Sequence, residues 1–454
     1  MKIPQTAPVR KNDEVELVIE NLTGEGAGVG RLNGFTIFVT GALPGERVTA
    51  HIIKVTGSYA VAKAVAVMEP SPDRVSPRCP VFAQCGGCTL QHLSYAAQLQ
   101  SKQQQVSDAF IRLGGFTDLP MQSIRGMEEP WRYRNKGSFP FGAFGSGVVF
   151  GFFAERSHRL IPVSDCPIQD TRIVEIAHKV CAWANEHEIP VYQEETHTGS
   201  LRHVMARATS TGETMAVVVT NGPLKHSDSL IEALEGVTSV WHNENSRDTN
   251  VIFGETFTHL AGKQTLTEVI ADNRFSVSPQ SFLQVNAVQT GVLYGAAVDL
   301  LNPQPDETVV DAYCGIGTIS LLLAQRCKSV VGIEQVPQAI ADAKQNALEN
   351  GVSNAEFLCG DVEKLLPQLF ARQSRPNALV LDPPRKGCDP AALHAIADAQ
   401  IPRVVYVSCN PATLARDVRL LADCGYTLRA IQPVDMFPHT SHVETVVLMS
   451  RVDK

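Results

Sequence analysis

From about residue 275 to the C-terminus the chain keeps one rhythm, and that rhythm limits the folds open to it. Short apolar runs at 308–311, 329–334, 355–361, 378–382 and 403–408 alternate with segments of helical spacing, such as 337–350 and 411–424. Each run is too short for a helix and too uniformly apolar for a strand with one wet face, so it reads as a strand buried on both faces. Parallel strands need long crossovers, and the helical segments supply them. The pattern predicts a doubly wound α/β domain, which binds ligands at the carboxyl ends of its strands. Asp311, Glu334, Asp361 and Asp382 stand at those ends.

The first half follows other rules. Runs at 14–21, 34–40, 47–56 and 60–68 are split by glycine turns at 24–30 and 43–46, the spacing of a small all-β barrel. Residues 69–73 read as a linker. Leu99, Val106, Phe110 and Leu113 recur at helical spacing as a core stripe, ended by Gly114-Gly115. Residues 130–265 are strand-rich, and the run from Trp131 to Lys136 interleaves aromatics with Arg132, Arg134 and Lys136. Such a run can bind phosphates and stack bases, or it can be a sheet core edged by cations. The expected division is 13–69 for the barrel, 70–91 with 125–265 for a central β-rich domain, and 92–124 with 266–454 for the α/β domain.

At 44% hydrophobic and 19% charged residues, 454 residues can fill large cores. Residues 1–14 lack the apolar stretch of a secretory signal, and no apolar run is long enough to span a bilayer. A cytoplasmic, monomeric protein without membrane contact is expected, its eleven cysteines kept reduced for metals or catalysis. The net charge of −8 divides into +2 over residues 1–170 and −10 over the rest, so a polyanion would dock at the front.

Asp311-Ala312-Tyr313-Cys314-Gly315-Ile316-Gly317-Thr318 follows the first strand of the α/β domain and opens a helix. Its glycines let backbone amides approach a ligand. Glu334, ending the second strand, suits ribose hydroxyls, and Asp361, after the third, suits an adenine amino group. A nicotinamide-binding fingerprint would need a small third residue where Ser320 stands. Asp382-Pro383-Pro384-Arg385 lacks the aromatic that amino-methyltransferases place fourth. Ser408-Cys409-Asn410-Pro411 puts a thiol beside a helix amino end, where positive potential should lower its pKa. The stretch from His439 to Glu444 offers a base.

Cys79, Cys85 and Cys88, with Cys166 as a fourth ligand, could hold either tetrahedral zinc or a [4Fe–4S] cluster, and spacing does not choose between them. Cys181, Cys327, Cys359, Cys388 and Cys424 read as packing residues.

Two further stretches carry a specific resemblance. Ser408-Cys409-Asn410-Pro411-Ala412-Thr413-Leu414-Ala415-Arg416-Asp417, and Asp435-Met436-Phe437-Pro438-His439-Thr440 ahead of Glu444, are similar to the RNA uracil-5-methyltransferase family. The likeness runs through essentially the whole chain, and the front barrel resembles a TRAM domain, a small RNA-binding module. The resemblance implies a Rossmann-like methyltransferase domain using S-adenosylmethionine, whose motif I matches residues 311–318. It implies Cys409 as nucleophile, Glu444 as base, and donor contacts from Gln284, Tyr313, Gly315, Glu334, Asp361 and Asp382. It also implies a [4Fe–4S] cluster on Cys79, Cys85, Cys88 and Cys166, and RNA as partner, with 23S rRNA favoured over tRNA. Thr318 and Asp361 stand where one bacterial branch has asparagine. The chemistry accounts for the thiol: carbon 5 of uracil reacts with a sulfonium methyl only after a nucleophile adds at carbon 6, and the carbon-5 proton must then be removed. A sulfur-insertion enzyme would need a radical-generating cysteine spacing that is absent, and a non-catalytic iron–sulfur RNA-binding protein would need neither Cys409 nor Glu444.

Overall fold

The computed structural model describes residues 7–145, 147–372 and 375–451; residues 1–6, part of the stretch 1–14 read above for a secretory signal, lie outside them. Strands β1 (Glu14–Leu22), β2 (Gly28–Leu32), β3 (Phe35–Thr40), β4 (Arg47–Val55) and β5 (Tyr59–Glu69) close a barrel in the order β1-β2-β3-β5-β4. Alternate residues point inward, as Phe35, Ile37 and Val39 do on β3. β2 lies in what reads as a glycine turn. A side chain at Gly28 would meet Ala42 O and Ile19 at 2.9 Å, so the glycine serves close strand approach. The linker is tied down: buried Glu46 accepts from Arg74 Nε at 2.5 Å and from the Leu43 and Ser71 amides.

Helix α1 (Tyr95–Arg112) follows, capped by the Ser94 hydroxyl. Its inward residues are Gln98, Lys102, Val106 and Phe110; Leu113 lies past the last turn and is exposed. The buried stripe therefore continues N-terminally through two polar side chains that an apolar pattern cannot reveal.

The central layer contains β6 (Lys136–Phe144), β7 (Gly147–Phe153), β8 (Leu160–Pro162), α2 (Thr171–Glu186), β9 (Leu201–Ala208), β10 (Thr214–Thr220), α3 (Ser227–Ala233), β11 (Ser239–Glu244) and β12 (Thr256–Gly262). Its sheet runs β12-β11-β10-β9-β6-β7-β8. The 16-residue α2 breaks the strand-rich expectation. It buries Ile173, Ala177, Val180 and Trp183 against Phe139, Phe150, Val204 and Val218. The aromatic-basic run makes several contacts within the protein. Arg132 forks onto Asp165 with two 2.7 Å bonds, Tyr133 donates to Pro438 O, and Trp131 stacks on His439.

A hairpin, β13 (Leu266–Ile270) and β14 (Asn273–Val277), leads into the last layer. There α4 (Ala287–Leu301), β15 (Thr308–Ala312), α5 (Thr318–Ala324), β16 (Ser329–Glu334), α6 (Pro337–Glu349), β17 (Ala355–Cys359), α7 (Val362–Arg372), β18 (Ala378–Leu381), α8 (Pro390–Asp398), β19 (Arg403–Ser408), α9 (Pro411–Asp423), β20 (Tyr426–Val434) and β21 (Glu444–Arg451) alternate. The sheet order is β17-β16-β15-β18-β19-β21-β20, with β21 antiparallel to both of its neighbours. Strand order reverses between β15 and β18, the crevice in which such sheets bind ligands. Among the described residues no helix is long and apolar enough to cross a membrane.

Candidate functional site

The carboxyl edge of this sheet sets the expected site residues in a row. In spatial order it presents Asp361 after β17, Glu334 on β16, the glycine loop after β15, Asp382 after β18 and Cys409 after β19. β21 runs the other way, so its first residue, Glu444, meets the same edge. The last rung between β19 and β21 pairs Ser408 with Thr445, so Cys409 and Glu444 emerge side by side.

The glycine loop turns through positive φ at Tyr313, Gly315 and Gly317 before α5 begins. A Cβ at Gly317 would stand 3.2–3.3 Å from Leu321, Ala343 and Phe357, so the residue is needed both for its turn and for its closeness to the core. Glu334 accepts from Gly315 N at 3.3 Å and Val336 N at 2.9 Å, which fixes its carboxylate beside the loop. Tyr313 donates to Glu363 at 3.0 Å. Asp361 pairs with Lys364 at the exposed end of the row. Gln284 stands next to Tyr294, whose hydroxyl also faces Asp382. Tyr294 belongs with the site although its sequence offers no signal, being one aromatic on an apolar helix.

The acids here are hard to ionise. Burial, then Asp311, pushes Asp382 up to about 7. Burial pushes Asp311 up to about 7 against the opposing Ser320 bond at 2.5 Å. Burial, then Asp382, pushes Glu444 up to about 8, with Arg385 pulling the other way. The Cys409 thiol departs from expectation. Its pKa is raised, first by burial and then by Glu444, and Arg385 opposes the rise. The amino end of α9 follows, capped by the Asn410 side chain on Ala412 N at 3.0 Å, and the rise in the thiol comes from desolvation and the carboxyls of Glu444 and Asp382. Arg385, which sequence reading used only to set aside amino methylation, is the cation that faces this thiol.

The loop 382–388 that carries Arg385 is bound to α9. Thr413 donates to Arg385 O at 3.3 Å and Arg416 to Lys386 O at 3.0 Å. Asp417 accepts from Cys388 N at 3.0 Å and Tyr406 OH at 2.7 Å.

The other four cysteines meet elsewhere. Cys79, Cys85, Cys88 and Cys166 line one cavity of about 270 Å³ together with Gln91, Ser138 and Gln169. Burial and the neighbouring thiols push Cys88 up to about 12 and Cys166 up to about 11. Gly87 N donates to Cys85 Sγ at 3.4 Å and Gln91 Nε2 to Cys88 Sγ at 3.2 Å. Ser138 Oγ and Gln169 Oε1 are buried without a partner. Among the described residues, no three His, Cys, Asp or Glu side chains converge closely enough to grip a single metal ion. Of the cysteines read as packing residues, Cys327 and Cys388 are buried, whereas Cys359 is exposed.

Known proteins resemble this chain in sequence and in fold. Residues 244–452 match the tRNA (uracil-5-)-methyltransferase family and residues 8–65 the TRAM domain. The chain is 50% identical over 451 residues to an uncharacterized RNA methyltransferase of Halalkalibacterium halodurans, covering 98% of each. It is 47% identical to one of Bacillus cereus, covering 100% of each. The crystal structure of Pyrococcus abyssi tRNA (uracil-54, C5)-methyltransferase with S-adenosyl-L-homocysteine superposes with a TM-score of 0.78 at 28% identity, covering 96% of this chain and 99% of that one. With its TRAM barrel, its doubly wound sheet and these full-length relatives, the chain belongs to the RNA (uracil-5-)-methyltransferase family of S-adenosylmethionine-dependent enzymes.

Proposed function

We propose that this enzyme methylates carbon 5 of a uridine in 23S rRNA through a covalent adduct, with Cys409 adding at carbon 6 and Glu444 removing the carbon-5 proton. The observation that carries the reading is the proximity of Cys409 and Glu444 just beyond the last β19–β21 rung, beside Asp382 and Arg385. The residues that would hold S-adenosylmethionine are Gln284, Tyr313, Gly315, Glu334, Asp361 and Asp382; when bound, it supplies the methyl group. Arg385 favours the thiolate that adds to the ring. A carboxylate pushed up to about 8 is a stronger base than an ordinary one, as removal of a carbon-bound proton requires. Cytoplasmic, monomeric action on RNA, without membrane contact, fits this reading.

The four-cysteine cavity suits a [4Fe–4S] cluster better than zinc. The four thiols line one cavity, which fits a group held by all four, and the likeness of this cysteine set to the iron–sulfur branch favours the cluster. Bound there, a cluster would offset the cost of four buried thiolate charges, which burial otherwise disfavours. The barrel and four-cysteine set resemble the 23S rRNA branch. The tRNA substrate of the Pyrococcus relative favours tRNA as the second reading.

Labelled methyl groups should pass to RNA, and cells lacking this chain should lose 5-methyluridine from 23S rRNA; loss from tRNA instead would select the second reading. Glu444→Gln should complete methyl transfer and then stall, leaving methylated RNA bound to protein as a band that survives denaturation. Cys409→Ala should abolish the band in either background. Full turnover by Glu444→Gln, or an adduct without Cys409, would reassign the base or the nucleophile.

A further inference from the structure

Five consecutive carbonyls lead toward Glu444 through the loop between β20 and β21, and each accepts a hydrogen bond from outside that loop. Asp435 O accepts from Gln289 at 2.9 Å, Met436 O from Asn286 at 3.0 Å, and Phe437 O from Lys102 Nζ at 3.0 Å. Pro438 O accepts from Tyr133 OH at 3.0 Å, and His439 O from the amides of Thr89 and Leu90 at 3.1 and 2.9 Å. His439 is held at φ 66°, a left-handed conformation that persists only where the surroundings over-determine it. Its amide donates to Gln98 Oε1 at 2.9 Å, its ring stacks on Trp131 at 3.7 Å, and Gln98 Nε2 reaches Leu90 O and Leu93 O at 3.1 and 2.8 Å.

Two of these partners continue the buried stripe of α1, where an apolar residue would fill space equally well. Lys102, 1% exposed, meets the fully buried Asp435 at 2.5 Å, and Tyr95 OH donates to the other oxygen of that carboxylate at 2.9 Å. Such a pair adds little stability over packed hydrocarbon. It does fix directions, because ammonium and carboxamide groups each bind named oxygens.

Resting on the reading of Glu444 as the base, we propose that Gln98 and Lys102 are positioning residues for catalysis. They hold the 435–443 loop so that the carboxyl at its end faces carbon 5, and they join it to the segment carrying Cys88. Cys409 enters from β19 and α9 and does not depend on this loop, so addition and methyl transfer should outlast its loosening while proton removal should not.

The test uses Gln98→Met, which changes no charge, Lys102→Met, and the charge-balanced Lys102→Met/Asp435→Asn, each in the full chain beside Glu444→Gln. Gln98→Met should lower kcat by roughly 10- to 100-fold, the scale of a misplacement near 1 Å. It should leave the KM for RNA within about twofold and accumulate the methylated covalent adduct. The double variant should melt near the wild-type temperature and still accumulate adduct. Soluble, folded Gln98→Met that turns over normally, or slows without adduct while Glu444→Gln traps it, would overturn the proposal. So would full turnover by the double variant, which would show that only charge balance matters. If Glu444→Gln itself traps nothing, the reading of the base has failed instead.

Discussion

Asp311, Asp382 and Glu444 show what burial does to single residues here. Burial first, and neighbouring carboxyls after it, raise them to about 7, 7 and 8, whereas an unfolded chain would release these protons near pH 4. Between those limits the folded protein binds more protons than the unfolded one, so this group of acids makes stability fall as pH rises. Glu46, Asp165 and Glu213, held below their usual range by Arg74, Arg132 and Lys263, act in the opposite direction at lower pH. The difference between proteins therefore isolates one group. Glu444→Gln cannot ionise, so its melting temperature should decline less than the wild type's between pH 5 and 8.5. Parallel curves would mean that Glu444 is already ionised in the folded state. The types of these residues were readable in the sequence, but their protonation was not. The same holds for Cys409: a helix amino end suggested an acidic thiol, whereas burial first and then Glu444 raise it.

At the scale of elements, the turn after β18 matters as much as the strand. Gly387 sits at φ 81°, and a Cβ there would stand 2.4 Å from Asp417 Oδ2 and 2.7 Å from Arg416 Nη2. Gly387→Ala should cost roughly 1–3 kcal/mol in denaturant unfolding, the scale of local backbone strain. It should also lower methyl transfer, by displacing Arg385, more than it weakens S-adenosylmethionine binding. Unchanged stability and turnover would show that contact with α9 does not set this loop. Elements with a clear period were legible from the sequence: the five parallel strands and α9 lie within a residue or two of expectation. β2 and α2 were not, because glycines at close strand contacts read as a turn and a helix among strands was masked by its aromatic neighbours.

The whole molecule brings distant segments to two centres. Cys166, beyond β8, closes the cavity opened by Cys79, Cys85 and Cys88, and the backbone beside Cys88 bonds the loop that ends at Glu444. Protein purified without oxygen should be brown and contain about four irons per chain, and Cys166→Ala should lose both. Stoichiometric zinc without iron, or full iron retention by Cys166→Ala, would contradict the cluster or its fourth ligand.

By itself the sequence determined the α/β rhythm, the barrel, and the residue types at the strand ends, because periodicity and motif chemistry are local properties. Only the tertiary structure decided that Arg132 pairs with Asp165 and that Tyr294 and Arg385 stand beside Asp382, Cys409 and Glu444. It alone decided that Gln98 and Lys102 face a loop more than 330 residues away. Those assignments depend on which surfaces exclude water together, and a linear pattern of apolar residues contains no record of a buried polar partner.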